Sequence, residues 1–460
     1  MDAGLLTIFF VLMASIAGCV AWLRFGYSAA LGVAIPLTML SATWFHLDVA
    51  GQDLDARTLA AIVMLALLAY PMGRRIIRPW FVLDWILLGI IVWHVVVDTF
   101  HSGFSVGRPF VSYAEWALPY AAGRYAMLHP HGMRWLARVL VSVGCVISLA
   151  ALIEAFSGQN VWETLFLPVD DLVTRTTGIR FNLVYRAIGP TRHPIFLGIL
   201  FMVILPWCVV LWEDTQLASQ RGLVIAAAIF LAIGMLATVS RGPLLTTLVA
   251  LVTAIAVRYP ITRWPLAGVA VVMVSLAVTF QAQLLETFDS QLKGRQHSKV
   301  VVLDGEQEVF SSSRNRVFVV RIYGPLALKG GPLGYGSTAT STFPPDIPGL
   351  PASDESREIL GIVDNAFILQ TLRLGWMGGV LVVALFLGGI VTAFSLMRTA
   401  DTFLMPCSAA VLLAMGCMLI AITLQLLIVF WAYDFAFWVL FQIGTLAGLR
   451  TRRTLALREF

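Results

Sequence analysis

An arginine between two apolar runs is the residue of this sequence whose type and position most favour chemistry. Arg241 lies in the segment TVSRGP (238–243), with almost no polar loop around it. A guanidinium at the edge of a membrane-spanning run is costly, so such an arginine is a candidate for function. Ser240 is a plausible helix N-cap, and a helix start beside a guanidinium favours an anion such as phosphate. The alternative is that Arg241 pairs with a carboxylate or with carbonyl groups at the membrane surface.

A second arginine pair follows three serines. Arg314 and Arg316 lie in the segment SSSRNRVF (311–318), and residues 314–328 are predicted to form an amphipathic helix with both arginines on its first turn. They are predicted to contact an anion or, alternatively, to be solvated loop residues. The glycine-rich stretch 330–336 lacks the Lys-Ser/Thr of a phosphate-binding P-loop. It is therefore interpreted as a tight turn after the helix.

A carboxylate precedes another predicted span. Asp364 immediately precedes the apolar run 365–397, and Asn365 is its first residue, so either is a candidate N-cap. A carboxylate that faces a basic cavity is also suited to act as a general base. Both interpretations remain open for Asp364, and Asn365 is a further candidate for substrate contact.

Three weaker candidates lie upstream. Arg186, Arg192 and His193 occur in a polar stretch just before an apolar run that starts at Pro194. They are weaker candidates for contact with a substrate. The alternative for Arg192-His193-Pro194 is the interfacial start of a helix.

The composition indicates which elements carry these residues. Of 460 residues, 59% are hydrophobic and 12% are charged, against about 25% charged in a soluble domain. Lipid must therefore be the solvent for much of the chain. All five cysteines lie in apolar runs, so no disulfide, metal or cofactor site is predicted. The net charge of +5 reflects scattered basic residues at helix ends and not a nucleic-acid partner.

Apolar runs predict an all-α polytopic membrane protein of roughly 12–13 transmembrane helices, with one long loop that contains short helices. The first run lacks a basic stretch before it and is interpreted as a mature helix. The predicted runs are 4–23, 27–46, 58–73, 80–99, 111–128, 135–156, 194–212, 222–239, 241–257, 264–283, 365–397, 404–426 and 428–449. The fifth, 111–128, is weak because it contains Glu115, Pro119 and Arg124.

Basic residues predict the orientation. With alternating spans, the basic clusters all fall on one side, which the positive-inside rule makes the cytoplasm. They are Arg74, Arg75 and Arg78; Arg134 and Arg138; Arg258 and Arg263; Arg398; and Arg450, Arg452, Arg453 and Arg458. The predicted divisions are N-terminal helices (1–156), a periplasmic loop (157–193), helices with Arg241 (194–283), a large periplasmic loop (284–364), and three helices with a cytoplasmic tail (365–460).

Four segments in this order resemble one family. They are RAIGPTRHPIFLGILFMVILPW (186–207), SRGPLLTTLVALVTA (240–254), SSSRNRVFVVRIYGPLALKGGPLGYG (311–336) and VDNAFILQTLRLGWMGGV (363–380). Together they resemble the superfamily of O-antigen ligases and O-antigen or exopolysaccharide polymerases. The resemblance covers roughly residues 180–450, and no single motif in it is highly specific.

The resemblance implies a metal-independent glycosyltransferase of the bacterial inner membrane. Such enzymes take a glycan from an undecaprenyl-diphosphate carrier at the periplasmic face and pass it to a glycan acceptor. The family arginines that engage the diphosphate correspond to Arg241 and Arg316 here. With Asp364, these are the predicted catalytic residues, and the lipid-linked glycan, the acceptor and the bilayer are the predicted partners.

One departure from the family pattern bears on the acceptor. O-antigen ligases usually carry His-Asn at the start of the span after the long loop, whereas this chain has Asp364-Asn365, and His297 lies elsewhere in the loop. The difference favours a polymerase over a ligase that acts on lipid A core. A flippase for lipid-linked oligosaccharides is the alternative from another class, although the charge is concentrated at one face and no internal repeat is evident.

Overall fold

The protein is built almost entirely of helices. The computed structural model describes residues 2–49, 51–72, 80–166, 184–215, 217–265, 268, 299–303, 306–310, 315–350, 360–400 and 407–459. The helices are α1 (Ala3–Phe25), α2 (Tyr27–Leu37), α3 (Ala56–Met72), α4 (Val82–Ser102), α5 (Gly107–Ser112), α6 (Leu118–Ala126), α7 (Pro130–Ser157), α8 (Val161–Phe166), α9 (Pro194–Asp214), α10 (Ala218–Ala237), α11 (Arg241–Arg258), α12 (Asn315–Lys329), α13 (Gly336–Thr340), α14 (Ala366–Met397), α15 (Ala409–Leu426) and α16 (Tyr433–Glu459).

Short irregular elements and two hairpins complete the described chain. Strands β1 (His46–Val49) and β2 (Gln52–Asp55) pair antiparallel, as do β3 (Lys299–Leu303) and β4 (Glu306–Phe310). The π-helical turn Tyr113–Ala117 joins α5 to α6. The weak fifth run of the sequence is therefore a broken helical segment that contains the buried side chains of Glu115 and Arg124.

The helices confirm an all-α polytopic membrane protein. Within the described ranges, eight helices are long and apolar enough to cross a membrane: α1, α4, α7, α9, α10, α11, α14 and α15. Two shorter apolar helices, Tyr27–Leu40 and Ala56–Ala69, accompany them. Most of the predicted span 264–283 lies outside the described residues, and so do the basic residues 74, 75 and 78. The total number of spans therefore stays a prediction.

Contacts between helix termini define two distinct ends of the bundle. The site end holds the starts of α9, α11, α14 and α16 and the last turns of α7, α10 and α15. The opposite end holds Arg134 and Arg138 of α7, which both form ion pairs with Asp214 at the end of α9, at 2.8 and 2.9 Å. Arg134 and Arg138, one of the basic groups that were used to predict orientation, therefore lie away from the site end.

Small residues allow close helix contacts in the bundle. Helix α6 packs on α16, and a Cβ atom at Gly123 would lie 2.1 Å from the carbonyl oxygen of Phe441. A Cβ at Gly444 would lie equally close, 2.1 Å, to the carbonyl oxygen of Tyr120. Such backbone approach strengthens dispersion contacts where lipid offers no hydrophobic driving force between helices.

Helix α14 is broken at Gly375, where the glycine-rich segment Gly330–Gly336 docks. Gly375 has φ +71°, and a Cβ there would lie 1.9 Å from the carbonyl oxygen of Pro332. The segment's Tyr335 donates its backbone N–H to Leu372, and Trp376 donates to Gly331, at 2.8 and 3.1 Å. The predicted tight turn is thus present, with positive φ at three of its glycines, and it also fills the gap in a spanning helix.

Candidate functional site

The turn before α11 presents Arg241 at the site end. Arg241 is the first residue of the helix and is exposed, while Ser240 is 2% exposed. Val239 has φ +47°, which is strained for a β-branched side chain and is the kind of outlier that occurs at functional sites. Ser240 occupies the predicted N-cap position, but its hydroxyl does not cap the helix. The amide groups at the start of α11 therefore receive no hydrogen-bond acceptor from the Ser240 side chain.

Arg186 is brought onto the same turn. Its Nη2 donates to the Ser240 hydroxyl at 3.2 Å, and its Nε donates to the Thr238 carbonyl at 3.5 Å. The backbone N–H of Ala187 also donates to the Ala237 carbonyl at 3.1 Å. Two guanidinium groups thus lie at one helix start. We call Arg186, Arg241 and the turn 238–240 the anion site.

A buried amide lies against this helix start. Gln425, near the end of α15, is fully buried, and neither its Oε1 nor its Nε2 has a hydrogen-bond partner in the described part of the chain. A Cβ at Gly242 would lie 2.7 Å from that Oε1. Buried polar atoms without partners are uncommon, so this amide is an unused donor and acceptor beside the anion site.

Arg192 and His193 stabilise the start of α9. The backbone N–H of Arg192 donates to Asp434 Oδ1 at 2.8 Å, and His193 Nδ1 accepts from the N–H of Ile195 at 3.2 Å. His193 is thus the N-cap of α9. Burial, reinforced by the positive charge of Arg186 and opposed by Asp434, lowers the pKa of His193 to about 4. The imidazole is therefore neutral near pH 7, and the interfacial helix start that the sequence allowed is present.

Asn365, not Asp364, caps α14. The Asn365 Oδ1 accepts from the N–H groups of Phe367 and Ile368 at 3.1 and 3.0 Å. Its Nδ2 donates to the carbonyl of Leu427 at 3.0 Å, which ties the start of α14 to the end of α15. These contacts give Asn365 a structural role, and its predicted contact with substrate stays a prediction.

The Asp364 carboxylate does not cap this helix. It is half-buried, and burial raises its pKa, while the positive charge of Arg316 opposes that rise. Arg316 is exposed on the first turn of α12, which confirms the predicted helix. Arg314 lies outside the described residues. Asn365 contacts Leu427, which follows α15, and Gly242 lies against Gln425 near the end of α15. Their chain neighbours Asp364 and Arg241 therefore both lie at the site end.

A polar network around Arg373 was not identified from the sequence. Arg373 of α14 donates from Nη1 to Glu115 at 2.9 Å and from Nε to the Ser337 hydroxyl at 2.7 Å, and its Nη2 lies 3.0 Å from His94 Nε2. His94 also lies 3.3 Å from Asp98. The network joins the long loop to three helical segments. Its signal in the sequence was the presence of ionisable residues within apolar runs, which are functional candidates by default.

Glu154 is a second residue whose role the sequence did not reveal. Its carboxylate accepts from the N–H groups of Ile188 and Gly189, both at 2.9 Å, and from Asn160 at 3.0 Å. These bonds fix the turn that follows Arg186. Glu154 thus positions one half of the anion site from the end of α7.

Metal ligands do not cluster in the described segments. No group of three or more His, Cys, Asp or Glu side chains suited to a metal ion occurs there. The site end instead offers guanidinium groups, a carboxylate and a buried amide, which are the groups that bind and act on an anionic, hydroxyl-bearing substrate.

Comparison with known proteins finds a family model that matches part of the chain. Residues 226–383 match a protein-family model described as O-antigen ligase, about a third of the chain. The matched segment contains Arg241, Arg316 and Asp364, whereas Arg186 and His193 precede it. No curated protein matches the chain. The family match supports the O-antigen ligase and polymerase superfamily and confirms the predicted resemblance.

Proposed function

We propose that this chain, which matches the O-antigen ligase family, is a membrane glycosyltransferase that takes a glycan from an undecaprenyl-diphosphate carrier. The observation that carries the proposal is the anion site, where Arg186 and Arg241 meet at one helix start. A helix N-terminus and guanidinium groups favour a diphosphate over a neutral ligand. A multi-pass membrane chain gives the prenyl tail of such a donor access from the lipid.

The anion site would stabilise the leaving group. As the bond between the donor sugar's anomeric carbon and the diphosphate oxygen breaks, negative charge grows on the diphosphate. Arg186 is held by its hydrogen bonds with the turn 238–240, and the first amides of α11 are fixed by the helix, so these groups would cost little reorganisation as that charge develops. Arg241 would add its positive charge at the same helix start. Arg316 would add a third positive charge from α12.

Asp364 would accept the proton of the attacking hydroxyl. The acceptor oxygen forms the new bond to the anomeric carbon, and its proton passes to the Asp364 carboxylate. Burial raises the pKa of Asp364, which makes it a stronger base than an exposed aspartate. The loop 284–364, of which residues 284–298, 304–305, 311–314 and 351–359 lie outside the described residues, would position the sugars.

We further propose that the acceptor is another lipid-linked repeat, so that the product is an O-antigen or exopolysaccharide polymer. An aspartate stands at the position where ligases usually carry the histidine that precedes asparagine. Reaction at the periplasmic face of the inner membrane, with the C-terminus in the cytoplasm, follows from the basic residues at the opposite end. The five divisions of the chain given above belong to the same proposal.

Replacement of Arg241 tests this function in cells. Arg241→Ala is expected to reduce polymer by roughly a hundredfold or more, the usual cost of removing a charge-stabilising group. Arg241→Lys keeps the charge without paired hydrogen bonds and should retain an intermediate level. Single lipid-linked repeats should accumulate on the outer face. Polymer is measured at matched protein levels, with Arg258→Ala at the other end of α11 as the control.

Two results would count against the proposal. Unchanged polymer in both Arg241 variants would exclude a role for the anion site in transfer. Repeats trapped on the cytoplasmic face would instead favour the flippase.

A further inference from the structure

The part of the long loop that carries Arg316 is a folded unit. Helix α12, the glycine-rich segment that follows it and the short helix α13 form one continuous stretch, residues 315–340, which we call the loop unit. The hydroxyl of Tyr335 donates to the carbonyl of Leu326 in α12 at 3.0 Å, so the glycine-rich segment folds back on the helix before it. The position of Arg316 therefore depends on how this whole unit is attached to the bundle.

An apolar core joins the first part of the loop unit to the chain just before Asp364. Val319 and Tyr323 of α12 are fully buried in one cluster with Val363. The Tyr323 hydroxyl also donates to the carbonyl of Leu360 at 2.5 Å. The first turns of α12 are therefore held against the segment that contains the proposed general base.

A single serine fastens the other end of the loop unit to two spanning helices. The Ser337 hydroxyl accepts from Arg373 Nε of α14 at 2.7 Å and lies 3.0 Å from His94 Nε2 of α4. The backbone N–H of Ser337 donates to Asp98 Oδ1, also on α4, at 2.9 Å. One residue of the loop unit thus contacts three ionisable side chains of the bundle.

The groups that hold this serine are themselves fixed. Arg373 Nη1 donates to Glu115 at 2.9 Å, and Trp431 Nε1 donates to the same carboxylate oxygen at 3.2 Å. Trp116 Nε1 donates to His94 Nδ1 at 3.2 Å. The side chains of Arg373, Glu115 and His94 are only 16%, 5% and 1% exposed. Movement of any of them would leave a buried polar group without its partner, so the network resists rearrangement.

We propose that Ser337 and Arg373 are positioning residues, which fasten the loop unit to the spanning helices and so hold Arg316 beside Asp364. The loop unit is then a fixed wall of the site and not a lid that opens for each substrate. Packed elements hold a charge next to a base more exactly than a free loop does. The inference rests on the proposed function for the roles of Arg316 and Asp364, and it goes beyond that function by assigning what positions them.

A disulfide between the loop unit and α4 tests the fastening without any assay of transfer. The hydroxyl groups of Ser102, at the end of α4, and Thr338, in α13, lie 3.3 Å apart at exposed positions. In nanodiscs, the full-length Ser102→Cys/Thr338→Cys variant should form this disulfide almost completely under mild oxidation, as mass spectrometry of non-reduced peptides would show. The two single variants control for the five native cysteines. Absence of the disulfide would overturn the docked position of the loop unit.

Transfer by the cross-linked protein distinguishes a wall from a lid. The oxidised double-cysteine variant should keep the kcat of its reduced form within about twofold, because a fixed wall need not move during turnover. A larger fall that a reductant reverses would show that the loop unit must open, and would overturn the proposal. A lack of transfer by the wild type would contradict the proposed function instead, while the disulfide would still report on the fastening.

Ser337→Ala tests the positioning role. It removes the hydroxyl contacts and keeps the backbone of the loop unit, whereas replacement of Arg373 would leave Glu115 buried without its partner. A loosened Arg316 lowers the pKa of Asp364 less, so the acid limb of the pH–kcat profile should move to higher pH. The kcat should fall by roughly fivefold, the scale of one lost hydrogen bond.

Ser341→Ala is the matched control, because the Ser341 hydroxyl donates to the carbonyl of Thr338 within its own segment. Its pH–kcat profile should follow that of the wild type. The disulfide between positions 102 and 338 should restore the acid limb of Ser337→Ala, and Ser337→Ala should add no further shift to Arg316→Ala. An acid limb of Ser337→Ala that coincides with the wild type, or a shift that the disulfide does not restore, would overturn the positioning role.

Discussion

Asn365 caps the helix that follows it, whereas the neighbouring Asp364 does not. Sequence alone allowed either residue to cap the helix that follows. Asn365 takes the cap with two hydrogen bonds from the backbone, so the Asp364 carboxylate remains beside Arg316 with a raised pKa. A general base must be ionised to accept a proton, so the proposed transfer activity should fall as the pH drops through that pKa.

The pH dependence of transfer gives a prediction for this pair. Arg316 lowers the pKa of Asp364 against the effect of burial. Arg316→Ala should therefore raise that pKa further and move the acid limb of the pH–kcat profile to higher pH. Asp364→Asn should lower kcat by about 10²–10⁴-fold, the usual range for a general base. Both effects are measured by initial rates across pH with purified protein.

Arg321→Ala is the matched control for this experiment. Arg321 lies on the same helix as Arg316 and is not among the charges that act on Asp364. The acid limb of the pH–kcat profile of Arg321→Ala should coincide with that of the wild type. An acid limb that stays in place in Arg316→Ala, or full activity in Asp364→Asn, would remove Asp364 from the chemistry.

A candidate site residue could be predicted from the sequence where its position implied an energetic cost. Arg241 was identified because a guanidinium at the edge of an apolar run requires a reason. Its companion Arg186 gave a weaker signal, because the contact between Arg186 and Ser240 joins positions 54 residues apart. The Glu115–Arg373 pair is separated by 258 residues, so no local pattern reveals it.

At the scale of elements, the segment Gly330–Gly336 fills the break in helix α14. The break leaves backbone groups that need partners within the membrane. Trp93 donates to the Leu374 carbonyl at 2.8 Å, and the docked segment supplies the bonds of Leu372 and Trp376. A single apolar run predicted one unbroken span here, because hydropathy does not register a change of backbone direction.

Gly375→Ala is expected to destabilise the protein strongly. The residue has φ +71°, where alanine is strained, and the new Cβ would lie 1.9 Å from the Pro332 carbonyl oxygen. Either the docked segment or the helix must move. Thermal unfolding followed by size-exclusion chromatography should show a large fall in Tm and loss of the monodisperse peak.

Gly324→Ala serves as the comparison for that variant. Gly324 lies within α12, and a Cβ there would have no atom within 4 Å. Alanine should be neutral or stabilise the helix by about 0.5–1 kcal/mol. Equal thermal stability of Gly375→Ala and the wild type would show that the break in α14 does not depend on glycine.

At the scale of the whole molecule, the bilayer makes most of the fold predictable. Its thickness requires long apolar helices, so predicted runs such as 194–212 and 241–257 agree closely with Pro194–Asp214 and Arg241–Arg258. The contacts between distant segments are not set by that requirement. The Arg373 network and the docking of the glycine-rich segment depend on tertiary packing, which periodicity and hydropathy do not encode.

We propose above all that this chain transfers a glycan from a lipid diphosphate. The most direct test supplies the purified protein in nanodiscs with undecaprenyl-diphosphate-linked repeats isolated from the host, and resolves the products on a gel. We expect a ladder of longer lipid-linked glycans with the wild type and with Arg258→Ala, and a rate at least about a hundredfold lower with Arg241→Ala. Unextended repeats with the wild type, together with movement of intact donor between the two leaflets of proteoliposomes, would contradict it.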